Sequence, residues 1–274
     1  MATLAARTYL FVPGNRPERF DKARATGADV VIIDLEDAVA PQDKAAARDA
    51  VAGWLDASRP VAIRINAAGT EWFDDDLALC GKHGVAAIVL PKSQTVDELA
   101  AVAQAAGREC TLIPLVESAL GMRNLEAIAG APRVQRLAFG TIDFRVDLGM
   151  KAEEDGDESE IASFRAAMAL ASRLADLQPP IDGVTVQLDD PQRIVLDVHR
   201  GLRFGFTAKL CIHPRQVAAV HGALAPSAQQ LDWARRVLAA VAVSRGAAVQ
   251  IDGKMVDRPV ILQAEDIVAR AERG

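Results

Sequence analysis

Two acidic residues at the ends of apolar runs are the groups best placed to do chemistry in this chain. TLIPLVESALG closes on Glu117, and VQRLAFGTIDF reaches Asp143. If the two runs are consecutive parallel strands, both acids face one opening. A hard divalent cation such as Mg²⁺ suits that pair, because it takes one or two protein carboxylates and leaves its other positions to water and substrate oxygens. The same acids could instead cap the helices that follow. Arg64 lies inside a third apolar run, VAIRIN. A guanidinium in a buried strand needs an anionic partner. It reads as an internal ion pair with Glu36 or Asp37, or as a planar fork for a substrate carboxylate. Both hold if the acids orient the arginine.

Asp34, Glu36 and Asp37 crowd one short segment. In an extended chain Asp34 and Glu36 share a face, and Asp37 points elsewhere. Near a metal, such acids either bind its waters or stay structural. Lys92 follows VLP; a buried lysine there could form a Schiff base, but an ion pair is the commoner fate. His213, in IHP, fits packing or capping the helix started by Pro214 better than acting as a base. No GxSxG, Walker loop, CxxC or HExxH is present, so Ser/His/Asp hydrolysis and nucleotide hydrolysis have no support.

These residues need elements to position them. Continuous apolar runs at Thr8–Val12, Val30–Leu35, Val61–Ile65, Ala87–Leu90, Thr111–Val116, Val134–Phe139, Gly183–Val186 and Ala208–Ile212 read as strands buried on both faces. Helical patterns alternate with them, some with clear start signals such as the Thr95/Glu98 capping box. Eight strand-then-helix units predict an α/β fold, a (β/α)₈ TIM barrel over residues 1–224. A doubly wound open sheet is the runner-up, but no GxGxxG follows the first strand. In such a barrel, strand C-terminal ends carry the chemistry. Residues 225–274 form a C-terminal extension: a long helix over Ser227–Arg245, a hairpin turning at Asp252-Gly253, and a final helix over Gln263–Arg273. A tail beyond a complete barrel can cover its own barrel or a neighbour's. The acidic stretch KAEEDGDESE, 151–160, reads as a mobile surface loop.

Composition bounds the rest. Half of the 274 residues are hydrophobic, enough for a large core. A formal charge of −6 with no basic block argues against nucleic-acid binding. Cys80, Cys110 and Cys211 are odd in number and far apart, which suits free thiols in a reducing compartment. No apolar segment is long enough for a membrane span, so a soluble cytoplasmic protein is expected.

The stretches YLFVPGNRPERFDKA, VVIIDLEDAVAPQDKAAAR, IRIN, IVLPK, PLVESALGMRN, LAFGTIDFRVDLG, GFTAKLCIHPRQV and DGKMVDRPV follow one another in this order. In them the chain resembles the citrate lyase β-subunit-like family, part of a wider group of Mg²⁺-dependent aldolases and acyl-CoA lyases with a TIM-barrel fold. The resemblance covers nearly the whole chain. It implies formation or cleavage of a C–C bond between a 2-oxo acid or glyoxylate and an acyl thioester, usually of coenzyme A. It implies Mg²⁺ held by Glu117 and Asp143, and Arg64 on the oxo-acid carboxylate, helped by backbone N–H groups around Gly140–Asp143. Asp257 in GKMVDRP becomes the acid/base, reaching the active site of the adjacent subunit, with Glu36 and Asp37 as further candidate catalytic acids. Homotrimers or their multiples are expected. Arg16 and Lys22 could meet coenzyme A phosphates, or be solvated charges at a helix start.

Three departures bear on the transfer. Glu117 stands in VES where many relatives have IET, and Phe144 stands where Leu is usual. Asp37 occupies the place where CoA-free aldolases carry His, which favours the thioester branch. A malyl-CoA or citramalyl-CoA type lyase is therefore expected. The alternatives are a citrate lyase β subunit acting in a complex, a CoA-free 2-oxo-acid aldolase, and a catalytically silent scaffold, the last opposed by intact Glu117, Asp143, Arg64 and Asp257.

Overall fold

The computed structural model describes residues 6–151, 156–244 and 249–272. Eight parallel strands close a barrel in sequence order: β1 (Thr8–Pro13), β2 (Val30–Asp34), β3 (Val61–Arg64), β4 (Val85–Leu90), β5 (Thr111–Val116), β6 (Arg136–Phe139), β7 (Gln178–Asp182) and β8 (Ala208–Cys211). Closure is by β1 on β8, with Thr8 opposite Lys209. The helices between them are α1 (Phe20–Arg24), α2 (Lys44–Trp54), α3 (Phe73–Cys80), α4 (Val96–Ala105), α5 (Ala119–Arg123), α6 (Leu125–Ala129), α7 (Thr141–Asp147), α8 (Ala162–Leu174), α9 (Pro191–Arg203) and α10 (Pro214–Leu224). This is the expected TIM barrel. Its lumen is filled by alternate residues of the strands, among them Tyr9, Ile32, Val89, Ile113, Leu115, Ile181 and Leu210, so the barrel is a packed core and not a pore. Thr95 caps α4 in the expected box with Glu98.

The seventh strand corrects the sequence reading. It runs Gln178–Asp182 and not Gly183–Val186. Pro179 and Pro180 each lack the N–H that a ladder bond needs. Here they fall between the paired residues: β6 meets β7 at Arg136↔Gln178 and Ala138↔Ile181, with a register shift between. The GVTV run thereby becomes the loop at the strand's C-terminal end. Arg136, read as part of an apolar run, is fully buried without a carboxylate. It donates to Ala6 O at 2.6 Å, to Thr207 Oγ1 at 2.7 Å and to Pro179 O, which ties β6 to β7 and to the residues just before β1 and β8 through neutral acceptors.

The described residues divide into two compact units, one up to Val220 and one from His221 onward. In the second, α11 (Ala228–Ser244) and α12 (Arg258–Ala271) bury Ala234, Val237, Ala264 and Ile267 against each other. The hairpin β9 (Val249–Ile251) and β10 (Lys254–Val256) turns on Asp252 and Gly253, both at positive φ, as the Asp-Gly pair predicts. Arg236 grips the turn with two 2.9 Å bonds to Asp252. Helix α12 starts at Arg258, earlier than expected. Pro259 fits the first turn, where a missing N–H costs nothing, so it opens the helix.

The acidic 151–160 stretch was expected to be a solvated loop. Residues 152–155 lie outside the described residues, but Glu158 is largely buried and meets three arginines: Arg145 at 2.8 Å, Arg200 at 2.8 Å, and Arg165. Burial alone would raise its pKa; Arg165, Arg200 and Arg145 outweigh that and hold it down to about 2. A carboxylate depressed in the folded state stabilises the fold above its ordinary titration range and loses that contribution as pH falls through it. Glu158→Gln is expected to cost about 3 kcal/mol at neutral pH. The gap to wild type should close as pH falls from about 4.5 toward 2. Denaturant unfolding of both proteins across that range checks it; a gap independent of pH would contradict the ion-pair account.

Candidate active site

Strand register builds the centre of the site. Asp34 ends β2 directly opposite Arg64 at the end of β3, so their side chains meet as cross-strand neighbours. Arg64 Nε and Nη2 donate to Asp34 Oδ1 and Oδ2 at 2.7 and 2.6 Å, a bidentate pair. Its Nη1 lies 2.9 Å from Glu36 Oε2. Of the two partners expected for Arg64, Glu36 is correct and Asp37 is not; the missed partner is Asp34, identifiable only once β2–β3 register is known. Burial would lower the pKa of Arg64, but Asp34 and Glu36 outweigh it and hold the guanidinium charged. Its ring neighbour is Phe11, with the guanidinium carbon 4.6 Å from the ring centre.

Glu36 is buried, and burial raises its pKa against the opposing pull of Arg64 and Lys92. Lys92 Nζ donates to Glu36 Oε1 at 2.8 Å. The ion pair, the commoner fate, is what this lysine makes. Beneath the Asp34–Glu36 turn lies a polar network that carried no sequence signal. Lys44, buried on α2, donates to Leu35 O, Glu36 O and Asn66 Oδ1 at 2.8, 3.0 and 2.6 Å. Asn66 in turn donates to Asp76 Oδ2 at 2.6 Å. Only the long-range packing of α2 and α3 brings these groups together.

Glu117 follows β5 and Gly140 follows β6, and the two strand ends pair at Val116↔Phe139. Glu117 is buried, with Oε1 accepting the Lys92 backbone N–H at 2.8 Å. Its carboxylate leans over Gly140, where any Cβ would come within 2.6 Å of Glu117 Cβ. Residue 140 must therefore be glycine. Burial, together with Glu36 and Asp143, pushes the Glu117 carboxyl up to about 8. Asp143 is not at a strand end; it lies in the first turn of α7, exposed. Phe144 beside it is fully buried, edge-to-face with Phe139 at 5.1 Å and Phe164 at 4.8 Å. The larger ring in place of the usual Leu thus anchors the helix that presents Asp143.

Arg64, Asp34, Asp37, Glu117, Gly140 and Asp143 line one cavity of about 380 Å³ at the barrel's C-terminal end, a size suited to a small ligand. Phe11, Leu115, Val184, Leu210 and Ile212 supply its apolar wall. Four carboxylates and one guanidinium therefore share the opening. Asp34 is paired with Arg64, which leaves Asp37, Glu117 and Asp143 as the acids a divalent cation would meet. Among the described residues no group of three or more His, Cys, Asp or Glu could hold a metal. A two-carboxylate site matches the Mg²⁺ habit of leaving coordination to water and substrate.

The other expected residues are not among those that line this cavity. Arg16 pairs with Glu18 at 2.7 Å, and Lys22 is exposed on α1. His213 Nδ1 accepts the Arg215 N–H at 3.1 Å, a capping role. Asp257 belongs to the second unit, where it is the N-cap of α12 and accepts the Val260 N–H at 3.2 Å. The Arg258-Pro259 pair after Asp257 argues for an exposed loop, but Asp257 starts a helix. Among the described residues no helix is long and apolar enough to cross a membrane.

Known proteins resemble this chain along most of its length. The family described as HpcH/HpaI aldolase/citrate lyase matches residues 7–214. The citrate lyase subunit beta-like protein of Mycobacterium tuberculosis is 38% identical over 266 residues, 96% of this chain and 94% of that one. The L-malyl-CoA/beta-methylmalyl-CoA lyase of Cereibacter sphaeroides is 34% identical over 301 residues, 97% of this chain and 94% of that one. A crystal structure of the protein CitE from M. tuberculosis, in complex with magnesium, acetoacetate and coenzyme A, superposes with a TM-score of 0.87 at 34% identity and covers 98% of this chain and 99% of its own.

Proposed function

Because this chain belongs to the HpcH/HpaI aldolase/citrate lyase family, we propose that it is a Mg²⁺-dependent carbon–carbon lyase for a β-hydroxyacyl-CoA of the malyl- or citramalyl-CoA type. The products are a 2-oxo acid and a shorter acyl-CoA. One observation carries the reading: Arg64, clamped by two acids, faces the same cavity as Glu117, Gly140 and Asp143.

Each residue then has a task. Guanidinium has five N–H donors; Asp34 takes two, and Glu36 faces Nη1 as an ion-pair partner without a hydrogen bond. The remaining N–H groups are free to meet the substrate carboxylate. Glu117 and Asp143 would hold Mg²⁺. When bound, the cation supplies Lewis-acid polarisation of the 2-oxo carbonyl. Cleavage needs a base for the β-hydroxyl proton; Asp37 lines the cavity and would serve, while Glu36 is held by Arg64 and Lys92. As the C–C bond breaks, its electron pair passes to the thioester as an enolate. An acid then delivers a proton to the α-carbon, and condensation reverses these steps. We assign that proton to Asp257 of an adjacent subunit in a homotrimer or a multiple of it, and coenzyme A phosphates to Arg16 and Lys22. The apolar cavity wall would exclude water from the enolate.

Subunit sharing has a direct test. Arg64→Ala and Asp257→Ala chains should each be defective alone, and co-expression should restore part of the lyase activity in mixed oligomers. No recovery despite confirmed mixing would place Asp257 in its own subunit's chemistry or outside it. A second reading, release of oxaloacetate from a citryl thioester, is favoured by the citrate lyase beta-like relatives. Incubating the protein and Mg²⁺ with acyl-CoA thioesters against glyoxylate, pyruvate and oxaloacetate, followed by mass spectrometry of the condensed thioesters, separates the two. Our reading expects adducts with glyoxylate or pyruvate; adducts confined to oxaloacetate would overturn it.

A further inference from the structure

Lys92 stands just past β4 with φ +47°. A lysine seldom enters the left-handed region, and such strain persists where the surroundings over-determine it. Two contacts do so here. The backbone N–H donates to Glu117 Oε1, and the ammonium donates to Glu36 Oε1, both at 2.8 Å. One residue thus touches both an acid of the Arg64 clamp and the carboxylate on the cavity's other wall.

The charge arithmetic explains the ammonium. Arg64 is shared by Asp34 and Glu36. Both acids are buried, so their negative charges are poorly screened. Lys92 supplies the second positive charge, which leaves the cluster Asp34, Glu36, Arg64 and Lys92 balanced. Without it, Glu36 would depend on Arg64 alone and compete with an incoming carboxylate for the same guanidinium.

We propose that Lys92 is a positioning residue for oxo-acid binding: it neutralises Glu36 so that the Arg64 N–H donors not held by Asp34 stay free for the substrate carboxylate. This rests on the reading that Arg64 takes that carboxylate. The Lys92 side chain is 45% exposed, so its variants should fold.

The test compares Lys92→Met, Lys92→Arg and Arg64→Lys in the full-length protein. Pyruvate affinity in the presence of Mg²⁺ is read by titration calorimetry, together with KM for each substrate, kcat and melting temperature. Lys92→Met should weaken pyruvate binding and raise its KM about tenfold. Its kcat, acyl-CoA KM and Mg²⁺ affinity should stay within about twofold. Lys92→Arg should restore pyruvate affinity. Unchanged pyruvate affinity in Lys92→Met, beside weakened affinity in Arg64→Lys, would overturn the inference and leave the Arg64 reading standing. A rise confined to acyl-CoA KM would make Lys92 a direct thioester contact and overturn it too. A lowered melting temperature with no rescue by arginine would reduce Lys92 to a structural group. Pyruvate affinity that ignores Arg64→Lys as well would remove the Arg64 reading, and this inference with it.

Discussion

Glu117→Gln is expected to abolish Mg²⁺-dependent oxo-acid binding and lower lyase activity by about a thousandfold or more, since a neutral amide is a poor ligand for a hard cation. The fold should survive. A glutamine Oε1 can still accept the Lys92 N–H that now meets Glu117 at 2.8 Å. Stability should even rise in metal-free buffer. The Glu117 carboxyl is pushed up to about 8 by burial and by Glu36 and Asp143. An acid raised in the folded state contributes most below its ordinary range and opposes folding progressively as pH climbs toward the raised value. At neutral pH the wild-type protein carries that burden and the amide does not. A stability cost at the ligand, relieved by an inactivating substitution, is what a binding site predicts. Calorimetric titration with Mg²⁺ and pyruvate, beside thermal melts without metal, checks both halves. Unchanged Mg²⁺-dependent affinity would remove Glu117 from the site. Asp143→Asn is expected to weaken Mg²⁺ binding without the stability gain, because Asp143 is exposed.

Arg64→Lys should lower kcat/KM by about a hundredfold or more. An ammonium keeps the charge but cannot make the bidentate pair with Asp34, reach Glu36 and present two parallel donors to a substrate. Some stability will go too, because buried Asp34 loses two bonds of 2.6–2.7 Å. The catalytic loss per folded molecule should exceed what that instability explains. Steady-state kinetics corrected for folded fraction, with melts of the same samples, decide between roles. A variant that melts early yet retains full kcat/KM would make Arg64 an internal ion pair alone.

The barrel was readable because buried parallel strands are written as uninterrupted apolar runs, and each was followed by helical periodicity. The failures have local causes. The Pro179-Pro180 pair disguised β7, since its tolerance depends on a register shift visible only in three dimensions. Pro259 reads in sequence as a barrier to a helix, yet it opens α12. Glu158 looked like one acid of a solvated run because its three arginines come from α7, α8 and α9. At the site, Arg64, Glu36, Glu117 and Asp143 were legible as charges interrupting or ending apolar runs. The Asp34–Arg64 pair, the Lys44–Asn66–Asp76 network and the double contact of Lys92 were not, because register and helix packing create them.

The central claim is C–C cleavage of a β-hydroxyacyl-CoA at the mouth of this barrel. Its most direct measurement is mass spectrometry of malyl-CoA and citramalyl-CoA incubated with the purified protein, with Mg²⁺ or with a chelator. The account predicts equimolar 2-oxo acid and acetyl-CoA with Mg²⁺, and neither with the chelator. Free coenzyme A with an intact hydroxy acid would reveal thioester hydrolysis and contradict it, as would cleavage that persists without the cation.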